Sequence, residues 1–306
     1  MANYLLFLLG VIAAGAGGEL FVRGAVGIAH RARIPAGIIG ATVAAFATSS
    51  PECAVAVSAA LSGTPGMALG DALGSNIVNV ALILGLMVLL ADLHAPRESL
   101  KRDLPVAMLT PCLLAVLALD GMLSRVDGVM LLGVFVTWLI ATVLEARRQR
   151  SAADHALAVS QAGHALGAGL VGLLLLMVSG RLIVTGARGV AYTFGLSESV
   201  IGATVVAVGT SMPELATAII AQWRGHEEIG LGTVLGSNIF NGLWIVAVTA
   251  IITPIPVSWH TVGIGLGFGV LTMACLFPGR EGLLTRKRGA LLLALYMVYV
   301  ATILTH

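Results

Sequence analysis

A stretch of forty residues is written twice in this chain. Gly40 to Asn79 reads GATVAAFATSSPECAVAVSAALSGTPGMALGDALGSNIVN, and Gly202 to Asn241 reads GATVVAVGTSMPELATAIIAQWRGHEEIGLGTVLGSNIFN, at a constant offset of 162 with no gap. Each copy places a hydroxyl pair, a proline and a glutamate inside an apolar run: Thr48, Ser49, Pro51 and Glu52 in the first, Thr210, Ser211, Pro213 and Glu214 in the second. Each then carries a small polar cluster, Gly74, Ser75, Asn76 and Asn79 or Gly236, Ser237, Asn238 and Asn241. Polar and ionisable groups in such surroundings are costly and mark function. Any fold must therefore present two equivalent units, each with its own buried acid.

The surroundings are those of a membrane. Hydrophobic residues make up 58% of the 306-residue chain, charged residues only 10%, and the mean hydropathy is +0.99; a soluble chain carries about 25% charged residues. The apolar runs are long enough to cross a bilayer as helices, about 20 residues each, and lipid requires backbone groups to be paired within the segment. Ten spans are expected, near 3–28, 37–62, 67–91, 103–120, 126–146, 165–190, 199–223, 229–252, 258–277 and 288–305. The first is read as a retained span and not a signal peptide, since it lacks a basic leader and is too long. Its Gly18, Leu20, Val22, Gly24 and Ala25 also recur as Gly180, Leu182, Val184, Gly186 and Ala187. A net charge of +2 is too small to suggest a nucleic acid partner, and no obligate protein partner is inferred. Cys53, Cys112 and Cys275 stand singly in apolar segments, without disulfide or metal-knuckle spacing.

The fold class expected is an all-α membrane protein whose ten transmembrane helices form two inverted-topology five-helix repeats. Residues 1–146 are the first repeat, 147–164 a cytoplasmic linker and 165–306 the second. Short loops on the cytoplasmic side are enriched in Lys and Arg. With the linker inside, that side holds Arg31, Arg33, Arg97, Lys101, Arg102, Arg147, Arg148, Arg150, Arg224, Arg280, Arg286, Lys287 and Arg288, against Arg125 and Arg188 opposite. Both termini are then extracytoplasmic. An odd number of spans per half inserts the copies upside down relative to each other, an arrangement of secondary transporters with sites at mid-membrane.

Pro51 has no N–H, so it frees the carbonyl of Ala47 and opens the helix, and Pro213 does the same to Gly209. Freed carbonyls at membrane depth are tolerated beside protein or a water-filled cavity. Ser49 with Glu52, and Ser211 with Glu214, fit the S-x-x-E capping box of a new half-helix. No basic residue shares these spans to neutralise either glutamate, so a cation from outside the chain is expected. Thr48 and Glu52, Ser49 and Glu52, and Ser75 and Asn79 are spaced to share a helix face. Their hydroxyl, amide, carboxylate and carbonyl oxygens suit a hard cation such as Ca2+; His and Cys, which zinc or copper favour, are missing from both clusters. Cys53 points away and is read as packing. Glycines at four-residue spacing, such as Gly66, Gly70 and Gly74, are read as close helix packing, with Gly74 and Gly236 reserved as neighbours of the polar cluster.

G-A-T-V-x-A-x-x-T-S-x-P-E and G-x-x-L-G-S-N-I-x-N resemble the two α-repeats of sodium/calcium exchangers, in the cation/Ca2+ exchanger superfamily. With the ten-helix layout, the resemblance covers nearly the whole chain. It implies Na+/Ca2+ antiport by alternating access, not an enzyme, with no cofactor beyond the transported ions. It implies that Glu52 and Glu214 are the carboxylates shared by Ca2+ and Na+. Thr48 and Thr210, with the carbonyls of Ala45 and Ala207, are implied at the Ca2+ site, and Ser49, Ser211, Ser75 and Ser237 at flanking Na+ sites. Asn79 and Asn241 match the amide or acidic position one turn after each serine. It also implies that access switches when the first and sixth spans slide past the rest. Several relatives carry aspartate where this chain has one of its two asparagines, which bears on potassium co-transport and Na+ stoichiometry.

The residue pattern leaves rivals: proton-coupled divalent exchange, since buried carboxylates titrate, and a passive cation channel. A hydrolase built on Ser49 or Ser211 lacks a nearby base, because the seven histidines lie in loops, at span ends or at the C-terminus. Two further acids are left open. Asp71, matched by Thr233 in the second copy, is either a ligand on the access path or a solvated helix start. Glu19, matched by Arg181, either pairs with it or snorkels.

Overall fold

The computed structural model describes residues 2–153, 162–193, 207–277 and 282–305. These are almost entirely helical. The first half contains α1 (Ala2–Ala32), α2 (Ala36–Thr48), α3 (Ser50–Leu61), α4 (Pro65–Leu90), α5 (Arg97–Leu117) and α6 (Arg125–Ala153). The second contains α7 (Ala162–Thr193), α8 (Ala207–Thr210), α9 (Met212–Trp223), α10 (Glu227–Ile252), α11 (Trp259–Cys275) and α12 (Arg286–Thr305). Among the described residues six helices are long and apolar enough to cross a membrane, and seven if α2 and α3, bent by 46° at their junction, form one broken span. The chain is a multi-pass helical membrane protein. One boundary differs from expectation. α6 continues to Ala153, so the linker expected from 147 begins as helix, and its residues 154–161 lie outside the described residues, as do 199–206 of the seventh expected span.

Local sequence explains the joints. α3 and α9 both end on a glycine in the left-handed region, Gly63 (φ 76°) and Gly225 (φ 73°). In each case the next N–H reaches back into the helix, Thr64 to Ala59 O at 2.9 Å and His226 to Ala221 O at 2.8 Å. This closure satisfies helix-end carbonyls, and only glycine adopts its φ without strain.

Four two-residue strands tie the loops together. β1 (Leu93–His94) pairs antiparallel with β4 (Leu283–Leu284), and β2 (Met122–Leu123) with β3 (Ile255–Pro256). The offset of 162 carries β1 onto β3 and, within one residue, β2 onto β4, so the internal symmetry exchanges the two pairings. Paired loops must lie on one side of the membrane.

α4 and α10 form the centre. Their apolar windows are 67% and 78% buried, against 33% or less for α1, α6, α7 and α12. Leu5, Ile12, Ile140, Leu174 and Met297 on those outer helices point outward, as lipid-facing residues do. α1 lies along α7 through glycines. A Cβ added to Gly24 would come within 2.5 Å of the Gly169 Cα, and one on Gly17 within 2.9 Å of the Leu176 N, the close backbone approach that small residues permit. Gly236 packs likewise on the backbone of Ala41. A Cβ added to Gly66 or Gly70 would meet nothing within 4 Å among the described residues, so the packing expected of them has no described partner.

Candidate functional site

The break expected at Pro51 is present. α2 stops at Thr48, Ser49 takes φ −87° and ψ 5°, and α3 starts at Ser50. Ser211 repeats this at φ −85° and ψ 11° before α9. The Ala47 carbonyl, deprived of its partner by Pro51, accepts the Ser50 hydroxyl at 2.6 Å. Met212 stands at the matching place in the second copy and has no hydroxyl to offer. The capping box is not made in either copy: neither Ser49 nor Ser211 forms a side-chain cap. Ser49 Oγ instead donates across the molecule to Glu214 Oε1 at 3.1 Å. Helix geometry allowed the cap, and the approach of the other half displaced it with a charge-assisted bond.

That bond joins the two repeats at their acids. Glu52 and Glu214 are 3% and 1% exposed. They lie near enough for their charges to act on each other. Ser237 Oγ adds a second contact to Glu214 Oε1 at 3.4 Å. Thr48 is buried, and its hydroxyl donates to Ala44 O at 3.0 Å and Ala45 O at 3.3 Å. The Ala45 carbonyl also accepts the Ser49 N–H at 3.0 Å. Ala207 and Thr210 begin and end α8. Ser75 and Asn79 lie buried on α4, Ser237 and Asn241 on α10.

Wide helical turns appear where the sequence pattern had no means of marking them. Gly40–Ala44 of α2, Val78–Leu84 of α4 and Phe240–Ile245 of α10 are π-helical. Asn79 and Asn241 fall inside the last two, and such turns in longer helices accompany functional sites.

The site is rich in oxygens without donors. Glu52 Oε2, Glu214 Oε2, Ser211 Oγ, Asn79 Oδ1 and Asn241 Oδ1 are buried with no hydrogen-bond partner among the described residues. Among the described residues neither glutamate forms an ion pair with Lys, Arg or His. An unsatisfied buried polar group costs about 1–3 kcal/mol, more when charged. A cation among these oxygens removes that cost.

Two contributors escaped the site assignment from sequence. Asn76 Nδ2 donates to Asn238 O at 3.2 Å, and Asn238 Nδ2 to Asn76 O at 3.1 Å, a reciprocal clamp between residues 162 apart. Asn79 Nδ2 joins it through Asn238 Oδ1 at 3.1 Å. The repeated S-N dipeptide was the available signal. Thr217, one turn beyond Glu214, is fully buried with an unpartnered hydroxyl; Val55 is its counterpart, so duplication did not flag it. Glu19 does not pair with Arg181. It binds Arg23 at 2.6 Å and Arg224 at 2.7 Å, while Arg181 is exposed. Cys53 packs against the hydrophobic core.

Comparison with known proteins agrees with this geometry. A family model described as sodium/calcium exchanger protein matches residues 2–144 and 164–305, one match per half. The Inner membrane protein YrbG of Escherichia coli is 38% identical over 230 residues, 72% of this chain and 71% of that protein. Sodium/calcium exchanger MaX1 of Methanosarcina acetivorans is 27% identical over an alignment of 345 residues covering 98% of each. Among solved structures, the sodium/calcium exchanger from Methanococcus jannaschii superposes with a TM-score of 0.83 at 32% identity, covering 98% of both chains.

Proposed function

This chain belongs to the sodium/calcium exchanger family, and we propose that it expels cytoplasmic Ca2+ in exchange for Na+ at one buried site between its halves. Glu52 and Glu214 are the shared carboxylates in this reading. Thr48, Thr210, Ser49, Ser211, Ser75, Ser237, Asn79, Asn241 and the carbonyls of Ala45 and Ala207 supply the neutral oxygens. The observation that supports it best is the convergence of acids from both repeats, with unpartnered oxygens around them and, among the described residues, no basic residue paired to either. Two carboxylates balance one Ca2+, whose shell takes six to eight oxygens.

Competition follows from the charge. Two glutamates cannot hold Ca2+ and a full Na+ load together, so each ion displaces the other. An empty site would leave two like charges buried and unpaired, which resists crossing without cargo. Ten spans in two inverted halves, with the linker inside, provide the alternation of access. The close glycine-lined contact of α1 with α7 supports movement of the two as one unit past the other helices.

The test uses everted membrane vesicles loaded with Na+. Glu52→Gln and Glu214→Gln are each expected to reduce Na+-gradient-driven uptake of radiolabelled Ca2+ to background. Undiminished uptake in either variant would refute the assignment.

A further inference from the structure

One acid near the site has no role in the exchange just described. Asp71 stands four residues before Ser75 on α4, on the same side of the helix and about 6 Å closer to the Pro65 end. This part of α4 packs against α3, which carries Glu52, and against α8, which carries Thr210. The Asp71 side chain is half-buried and lies within electrostatic range of Glu52. It makes no hydrogen bond or ion pair among the described residues. A solvated helix start does not describe it, since α4 began six residues earlier and the side chain is turned inward.

The second copy resolves the same position differently. Thr233 is fully buried, its hydroxyl donates to Ile229 O at 2.8 Å, and the neighbouring Gly232 packs on Gly37 of α2. Inverted insertion places these two positions on opposite approaches to the site, Asp71 toward the extracytoplasmic side and Thr233 toward the cytoplasm. At this position the first copy is charged and the second neutral, while the acids of α10, Glu227 and Glu228, stand farther out in its first turn.

We propose that Asp71 is a capture residue on the extracytoplasmic approach, concentrating cations beside Glu52 on that side alone. This rests on the exchange and the orientation proposed above. An added negative charge draws cations toward a cleft, and Thr233 supplies none. The two faces of the transporter then differ in apparent affinity although their central ligands are duplicated.

The experiment compares right-side-out with everted vesicles, both loaded with Na+, and reads the Ca2+ concentration in the medium that half-saturates uptake. Sidedness is fixed independently by protease cleavage of a tag placed in the linker. In Asp71→Asn and Asp71→Thr the half-saturating concentration should rise about three- to tenfold in right-side-out vesicles, the effect of removing one partly screened charge, and stay unchanged in everted ones. Asp71→Glu should restore it, and raising ionic strength with choline chloride should narrow the gap between wild type and Asp71→Asn. An equal change on both faces, a change on the cytoplasmic face alone, a fall in maximal rate with affinity intact, or no change would overturn the proposal. Glu52→Gln run alongside separates the cases: if it still exchanges ions, the exchange reading has failed and not the role of Asp71 alone.

Discussion

Glu52 and Glu214 occupy identical places in a duplicated sequence, yet their surroundings differ. Glu214 accepts two hydroxyls, Ser49 from the opposite repeat and Ser237 from its own. Among the described residues the hydroxyl of Ser211, the counterpart of Ser49, has no partner, and Glu52 Oε2 has none either. A separate inequality at the helix breaks is written into the sequence: the Ala47 carbonyl is satisfied by Ser50, and the second copy has Met212. Two copies related by an inverted axis can interchange environments only by moving. In the alternating access proposed above, the unequal serine bonds would belong to one state, and the mirror-image bond, Ser211 to Glu52, is the expectation for the other.

The hardest test of that comparison removes each acid in turn. Ca2+ at a hundredfold excess over its dissociation constant should stabilise the wild type by about 2.7 kcal/mol, read as a rise in thermal midpoint in detergent. Glu52→Gln and Glu214→Gln should both lose this rise, while melting no lower than wild type without Ca2+, because each relieves a buried unpaired charge. A variant that kept the Ca2+-dependent shift would remove its glutamate from the site.

A smaller effect is expected at the clamp between the halves. Asn76→Ala and Asn238→Ala each delete one donor of a reciprocal pair and leave a carbonyl unsatisfied, a loss of about 1–3 kcal/mol. The double variant should cost less than the sum, since both act on one joint. Strict additivity in a denaturation cycle would break the picture of a single clamp.

Ser49→Ala and Ser211→Ala sharpen the asymmetry directly. If the described state dominates in the absence of ions, Ser49→Ala should destabilise the ion-free protein by about 1 kcal/mol through its bond to Glu214, and Ser211→Ala by less. Equal shifts in thermal midpoint would mean that both states are equally populated. The smallest change is expected from Ser50→Ala, about 0.5–1.5 kcal/mol for one hydrogen bond at the break; Met212→Ser, which offers the second copy the same bond, should move stability the other way.

Much of the site was legible because its signals are local. Proline at 51 and 213 stands in the first turn of a new half-helix in each copy, although Pro105 and Pro111 lie inside α5 without ending it, and a carboxylate in an apolar span announces itself without coordinates. The capping box was legible too, and misleading. Its spacing is met, but the serine hydroxyl went to a stronger acceptor on the other half. Glu19 teaches the same lesson: its internal counterpart suggested Arg181, whereas the loop arginine Arg224 and the helical neighbour Arg23 lie within reach. Thr217 stayed hidden because repetition was the filter and Val55 broke it.

Composition, periodicity and an exact internal offset were enough to establish a duplicated helical membrane protein with one acid per copy, since each is a property of residues near one another in the chain. Which oxygen meets which donor was decided only when helices 162 residues apart closed on each other. The π-turns, the Asn76–Asn238 clamp and the unequal glutamates all belong to that second class. A repeat makes its two copies chemically alike, but hydrogen bonds form across the interface between them, and a single conformation of an inverted pair has no obligation to be symmetric.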